Sequence, residues 1–169
     1  MVHGGLVFTW PDVPAGQPDN VVAAGQTILL SGSGTTLGFL GAAGSGGQSG
    51  SGTIYYTDGT TGRFTLALAS YLGSPGPGNE TVAVLRYVNG AAGRSEQDAH
   101  VFYAGVPITP NKTVRAVTLP GQGSAAASAM HIFAVAIGPI PAPGTSPQAA
   151  ADPAAGPVPG QPKKTSASA

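Results

Sequence analysis

The chain has no cysteine and almost no charge, and these two absences remove several kinds of protein at once. Without Cys there is no disulfide framework, no thiolate nucleophile and no Cys-based metal site. Charged residues are 8% of the chain, with seven Lys and Arg against seven Asp and Glu. No basic field exists to draw in nucleic acid or an acidic membrane surface, so neither is expected as a partner. Long apolar runs are missing too: the longest, AMHIFAVAIGPIPA, is broken by His131 and Pro139 and is too short to span a bilayer. The first ten residues, MVHGGLVFTW, lack the basic n-region and the apolar h-region of a secretory signal, so export would rely on a signal upstream of residue 1.

What is abundant is punctuation. Gly and Pro, 27 and 16 residues, make up about a quarter of the 169 positions, and over residues 5–138 they alternate with short apolar, β-branched runs. Such runs bounded by turn formers read as strands: Leu6–Trp10, Thr27–Ser31, Thr35–Leu40, Gly52–Thr57, Arg63–Ala69, Glu80–Val88, Ala99–Val106, Thr113–Leu119 and Met130–Ile137. Period-2 alternation places Phe64, Leu66 and Leu68 on one face, and His131, Phe133, Val135 and Ile137 on another. Asp58-Gly59 between two runs marks a hairpin. The pattern predicts an all-β fold, a two-sheet antiparallel sandwich of jelly-roll type spanning 5–138. Residues 139–169, PIPAPGTSPQAAADPAAGPVPGQPKKTSASA, have no aromatic and no periodicity, which predicts a disordered Pro/Ala/Gly/Ser-rich tail.

Catalytic chemistry is not visible. Asp12, Asp19 and Asp58 sit in turn contexts where Asx side chains cap backbone amides, and no carboxylate pair suited to glycoside cleavage can be assigned. His3, His100 and His131 lack ligand spacing, and His131, alternating with core residues, reads as a buried, hydrogen-bonded histidine. GAAGSGGQSGSG, residues 41–52, lacks the GK[ST] of a phosphate loop and is followed by strand-like TIYYT, so it reads as a flexible inter-strand loop. No enzyme and no cofactor are expected; a structural calcium ion at Asp19/Asn20 is the one exception the loop chemistry allows. Binding is another matter. Sugar-binding sandwiches use aromatic platforms with amide and guanidinium donors, and Trp10, Asn20, Tyr71 and Arg86 are the residues singled out for carbohydrate contact. Core packing is the competing role for each aromatic.

The strings TWPDVPAGQPDNVVAAGQTI, LGFLGAAGSGGQSGSGTIYYTDGTT, KTVRAVTLP and MHIFAVAIG, in this order over residues 6–138, resemble the C-terminal β-sandwich module of secreted actinobacterial glycoside hydrolases, notably family 92 α-mannosidases and other multi-domain glycosidases. The resemblance implies a galactose-binding-like sandwich, an extracellular location, and an accessory role beside an upstream catalytic glycosidase domain. Such modules tend to read Asp-Trp where this chain has Ala69-Ser70-Tyr71. Three functions stay open: a non-catalytic carbohydrate-binding module that contacts a polysaccharide or glycan, a structural domain that packs on its catalytic partner, and a stand-alone exported adhesin-like protein. On any of them the segment 9–26 is punctuation: Trp10-Pro11-Asp12 closes the first strand, Pro18-Asp19-Asn20 turns, and Gly25-Gln26 starts the next.

Overall fold

The computed structural model describes residues 1–14, 17–90, 92–121 and 129–138; the tail expected over 139–169 and the Ala-rich run 124–128 lie outside the described residues. The strands in chain order are β1 (Val2–His3), β2 (Leu6–Val7), β3 (Val21–Val22), β4 (Thr27–Ser33), β5 (Thr36–Ala43), β6 (Gln48–Tyr56), β7 (Thr61–Leu68), β8 (Asn79–Leu85), β9 (Val88–Gly90), β10 (Gly93–Ser95), β11 (Ala99–Pro107), β12 (Thr113–Thr118) and β13 (Met130–Gly138). Two antiparallel sheets carry the fold, one ordered β3-β13-β5-β11-β8 and the other β4-β12-β6-β7. Setting aside edge strand β8 and the short β1–β2 and β9–β10 hairpins, eight strands remain. Numbered in chain order they run 1-8-3-6 in one sheet and 2-7-4-5 in the other. That is the interlocked pair of Greek keys of a jelly roll.

The main core lies between the sheets, where Phe39 of β5 stacks on Phe64 of β7 at 5.6 Å. Leu37, Ile54, Leu66, Phe102, Val114 and Met130 fill the space around them. A second apolar cluster covers the opposite face of the five-stranded sheet. The N-terminal hairpin lays Leu6 and Phe8 over Leu40, Val101, Tyr103, Ala134 and Ala136. Gly38 makes room for it: a Cβ there would meet Leu6, Tyr103 and Phe8 at 2.8 to 3.0 Å. Main-chain bonds Phe8 N→Met1 O (2.8 Å) and Met1 N→Phe8 O (3.0 Å) close the hairpin. His3 adds a contact to the Glu80 carboxylate at 2.9 Å and a tilted ring contact with Tyr103 at 4.7 Å. Burial, with the Glu80 charge adding to it, pushes the Tyr103 phenol above its ordinary pKa. Covered on both sides, β5 is buried at every position, which is why TLGFLGAA reads as a continuous small and apolar run.

Several expectations are corrected. The first strand ends at Val7, and Trp10-Pro11 lies beyond it in irregular chain. Residues 41–52 are not one flexible loop: 41–43 belong to β5 and 48–52 to β6, leaving only 44–47 as the connection. Two of their glycines serve close approach: Gly41 lies against the His131 carbonyl, and Gly52 lies directly opposite Phe64 and has no room for a side chain beneath its ring. The alternation expected along β13 also breaks. A bulge between Ile132 and Ala134 puts Met130, Ile132, Val135 and Ile137 on the inter-sheet core, and Phe133, Ala134 and Ala136 on the outer cluster. The Gln26 side chain bonds Ala24 N at 2.7 Å and Val22 O at 2.6 Å, pinning the turn from β3 into β4.

The β6–β7 hairpin forms at Asp58-Gly59, with Gly59 at φ +84°. Asp58 accepts from Thr60 N (3.0 Å) and Thr60 Oγ1 (2.6 Å) and pairs with Lys112 Nζ at 2.8 Å. The Lys112 ammonium, then the Thr60 donors, hold its carboxyl well below the usual carboxylate range. The folded carboxyl therefore binds a proton less readily than the unfolded one. Its contribution is fully present above the ordinary Asp value of about 4 and is lost as pH falls below it. Asp58→Asn is expected to lower the Tm slightly at neutral pH, this being an exposed site, with the gap to the parent closing through the acid range. A gap constant with pH, followed by calorimetry, would show that the pair does not form in solution.

Candidate functional site: an aromatic groove at the loop end

At the end of the sandwich where β5 finishes and β13 begins, two adjoining cavities of about 420 and 330 Å³ share Tyr71, Leu85, Val88, Asn89 and Ala99. The larger continues to Asp19, Asn20, His100, His131 and Phe133, and the smaller to Tyr87. Main-chain bonds build this end rigidly. Ala43 N bonds Ala69 O at 2.8 Å, Tyr71 N bonds Ala43 O at 2.9 Å, and His100 N bonds Tyr71 O at 2.7 Å, so residues 69–71 are clamped between β5 and β11. Tyr71 is held by its backbone while its half-buried ring faces the groove.

A short polar relay forms one wall. Asn20 Nδ2 donates to Asp19 Oδ1 at 2.9 Å, and Asn20 Oδ1 lies 2.8 Å from His131 Nδ1. Since a carboxylate only accepts, Asp19 fixes which way the Asn20 amide points. The amide oxygen then accepts a hydrogen bond from His131 Nδ1–H, and Nε2 is the ring nitrogen left to meet a ligand. The opposite character comes from rings: Trp10, 39% exposed, stacks flat on Phe133 at 5.2 Å and 10°. Below Tyr87 the β9–β10 hairpin is braced by Arg94, whose guanidinium sits 4.0 Å from the Tyr87 ring centre and bonds Glu96 at 2.6 Å.

The structure brings Asn20 and Tyr71 to one cavity and Trp10 to its rim through Phe133. Arg86 is placed differently: it is exposed in the bend after β8 and does not line the groove, although its neighbours Leu85 and Tyr87 do. His131, Phe133, Asn89 and His100 were not anticipated as groove residues. His131 is hydrogen-bonded, as expected, but it is half-buried rather than buried and lines a cavity. The bulge behind this cannot be seen in an unbroken string of alternating apolar residues. A cavity of about 430 Å³ on the other side of residues 69–79 has less to offer, because the Asn79 amide there is engaged by Ala69 N at 2.8 Å and Ala67 O at 2.9 Å.

Chemically, the groove offers ring faces, amides and an imidazole nitrogen. Among the described residues no three His, Asp or Glu side chains gather as a metal-holding group, and the side-chain oxygen of Asn20, where calcium was considered, is turned to His131. The chain matches no family model and no curated protein.

Proposed function

We propose that this chain is a non-catalytic accessory module that binds a neutral glycan in the loop-end groove, exported as the C-terminal part of a glycoside hydrolase whose catalytic domain lies upstream. The observation that carries the reading is the pairing, in one groove, of Tyr71 and Phe133, the latter with Trp10 stacked on it, with the Asp19–Asn20–His131 relay. Pyranose rings present an apolar face to an aromatic platform and hydroxyls to amide and imidazole groups. The resemblance of its strings to glycosidase accessory modules supports the same reading.

Affinity electrophoresis and calorimetry against mannan, xylan and β-glucan test it. Tyr71→Ala is expected to weaken binding by about tenfold or more, the loss typical of a central aromatic anchor, with a cooperative unfolding transition and the far-UV spectrum retained because the Tyr71 main chain carries the local bonds. No affinity for any neutral glycan, or full affinity in Tyr71→Ala, sinks the proposal. A second reading has its own support: Leu72, Leu85 and Tyr87 are 41%, 54% and 42% exposed beside the groove, a patch suited to packing on a neighbouring domain. Absent glycan affinity together with tight association of a separately produced catalytic domain would favour it.

A further inference from the structure

The solvent face of the four-stranded sheet has a different chemistry from the groove. Arg63 of β7 and Arg115 of β12 are the only charged residues in its four strands. Both are exposed, and among the described residues neither has a carboxylate partner. The nearest acid in sequence, Asp58 in the β6–β7 turn, is already held by Lys112 at 2.8 Å. Between the two arginines stands Tyr55. The Arg115 guanidinium lies 5.6 Å from its ring centre, and its phenol oxygen accepts from Thr118 Oγ1 at 3.4 Å. Arg63 pairs across the strands with Thr53, two residues along β6 from Tyr55 on the same face, which places it at the diagonal position on the other side of Tyr55. Around them the face carries hydroxyls from Thr53, Thr65, Ser51 and the Thr27–Thr118 pair, whose oxygens are 2.7 Å apart, with Leu29 of β4 as its exposed apolar member.

Two uncompensated arginines on either side of one aromatic ring call for an anion with a flat, hydroxylated body. We propose that this face binds an acidic polysaccharide of the uronate type, at a site separate from the loop-end groove. A uronate carboxylate would take paired N–H donors from a guanidinium fork, its ring would lie on Tyr55, and its hydroxyls would exchange hydrogen bonds with Thr53 and Thr65. Neighbouring strands spaced at about 4.8 Å give hydroxyl rows at a spacing comparable to a sugar unit. Two cationic contacts are too few for nucleic acid, whose binding draws on about 6–10 phosphate contacts.

The test is calorimetry and affinity electrophoresis with polygalacturonate, alongside dextran, dextran sulfate and single-stranded DNA, at low and high ionic strength. The parent chain is expected to bind polygalacturonate at low salt and more weakly at high salt. The double variant Arg63→Ala/Arg115→Ala should lose about tenfold or more, Arg63→Lys/Arg115→Lys should retain part of the affinity, and Tyr71→Ala should retain all of it. Both arginines are exposed, so near-UV spectra of these variants should match the parent. No binding to polygalacturonate at low salt overturns the proposal, as does tighter binding of DNA or dextran sulfate. Loss in Tyr71→Ala with none in the arginine variant also overturns it, by moving the ligand to the groove. Failure of neutral-glycan binding in the groove leaves this site standing, so the two readings fall separately.

Discussion

Phe8→Ala is expected to lower stability by about 3–5 kcal/mol, measured by urea unfolding. Phe8 is 1% exposed, meets Tyr103 edge-on at 6.2 Å, and lies over Gly38 close enough that a Cβ there would meet it at 3.0 Å. Truncation leaves a cavity on the outer face of the five-stranded sheet and weakens the anchoring of Leu6, the other buried residue of the hairpin. The adjoining Val7, 72% exposed, is the control: Val7→Ala is expected to stay within about 0.5 kcal/mol. A loss below about 1 kcal/mol for Phe8→Ala would mean that the hairpin does not cover the sheet in solution. The outer cluster would then be open surface, and the functional reading would have to include it. The predicted loss thus bears on function as well as stability: with the outer face closed, that face offers no ligand surface, and the functional reading rests on the loop-end groove and the four-stranded face.

The strands were legible wherever turn formers bracket an apolar run, and all nine expected runs overlap a strand. What escaped has physical causes. Strand β3 is two residues long and is defined by its pairing with His131 and Ile132 of β13, a partnership over a hundred residues away in sequence. The glycines of 41–52 looked like a loop because composition cannot separate a glycine chosen for mobility from one chosen because a ring or a neighbouring backbone occupies its side-chain space. The bulge at Phe133 left the string MHIFAVAI perfectly alternating on paper while exchanging its faces in space. Of the site, Asn20 and Tyr71 reach the groove because turn residues and a lone aromatic before a Gly-rich loop are local signals. His131 joins Asn20 only through tertiary structure. Arg86 has only its residue type to recommend it, and it does not line the groove.

Gly52→Ala is the second large effect, expected at about 1–3 kcal/mol or somewhat more. The added methyl would overlap the Phe64 ring and lie 2.6 Å from the Thr118 carbonyl oxygen on β12. Neither neighbour yields easily: Phe64 is stacked on Phe39 across the core, and the Thr118 backbone belongs to the sheet. Gly47→Ala, whose methyl would meet only the Leu68 carbonyl at an ordinary 3.6 Å, is expected within about 0.5 kcal/mol. Combining Gly52→Ala with Phe64→Leu separates the two clashes in a double-mutant cycle. Recovery of most of the loss assigns it to the ring, and persistence assigns it to the Thr118 carbonyl. The distinction reaches the solvent face, because Gly52 immediately precedes Thr53, and Thr118 donates to Tyr55 from the neighbouring strand. If the carbonyl clash dominates, β6 and β12 must separate there, and polygalacturonate affinity should fall together with stability. If the ring clash dominates, the core absorbs the change and affinity is retained. A Gly52→Ala chain as stable as its parent would show that β6 has slack at this position, and the close packing of β6, β7 and β12 around it would then be wrong.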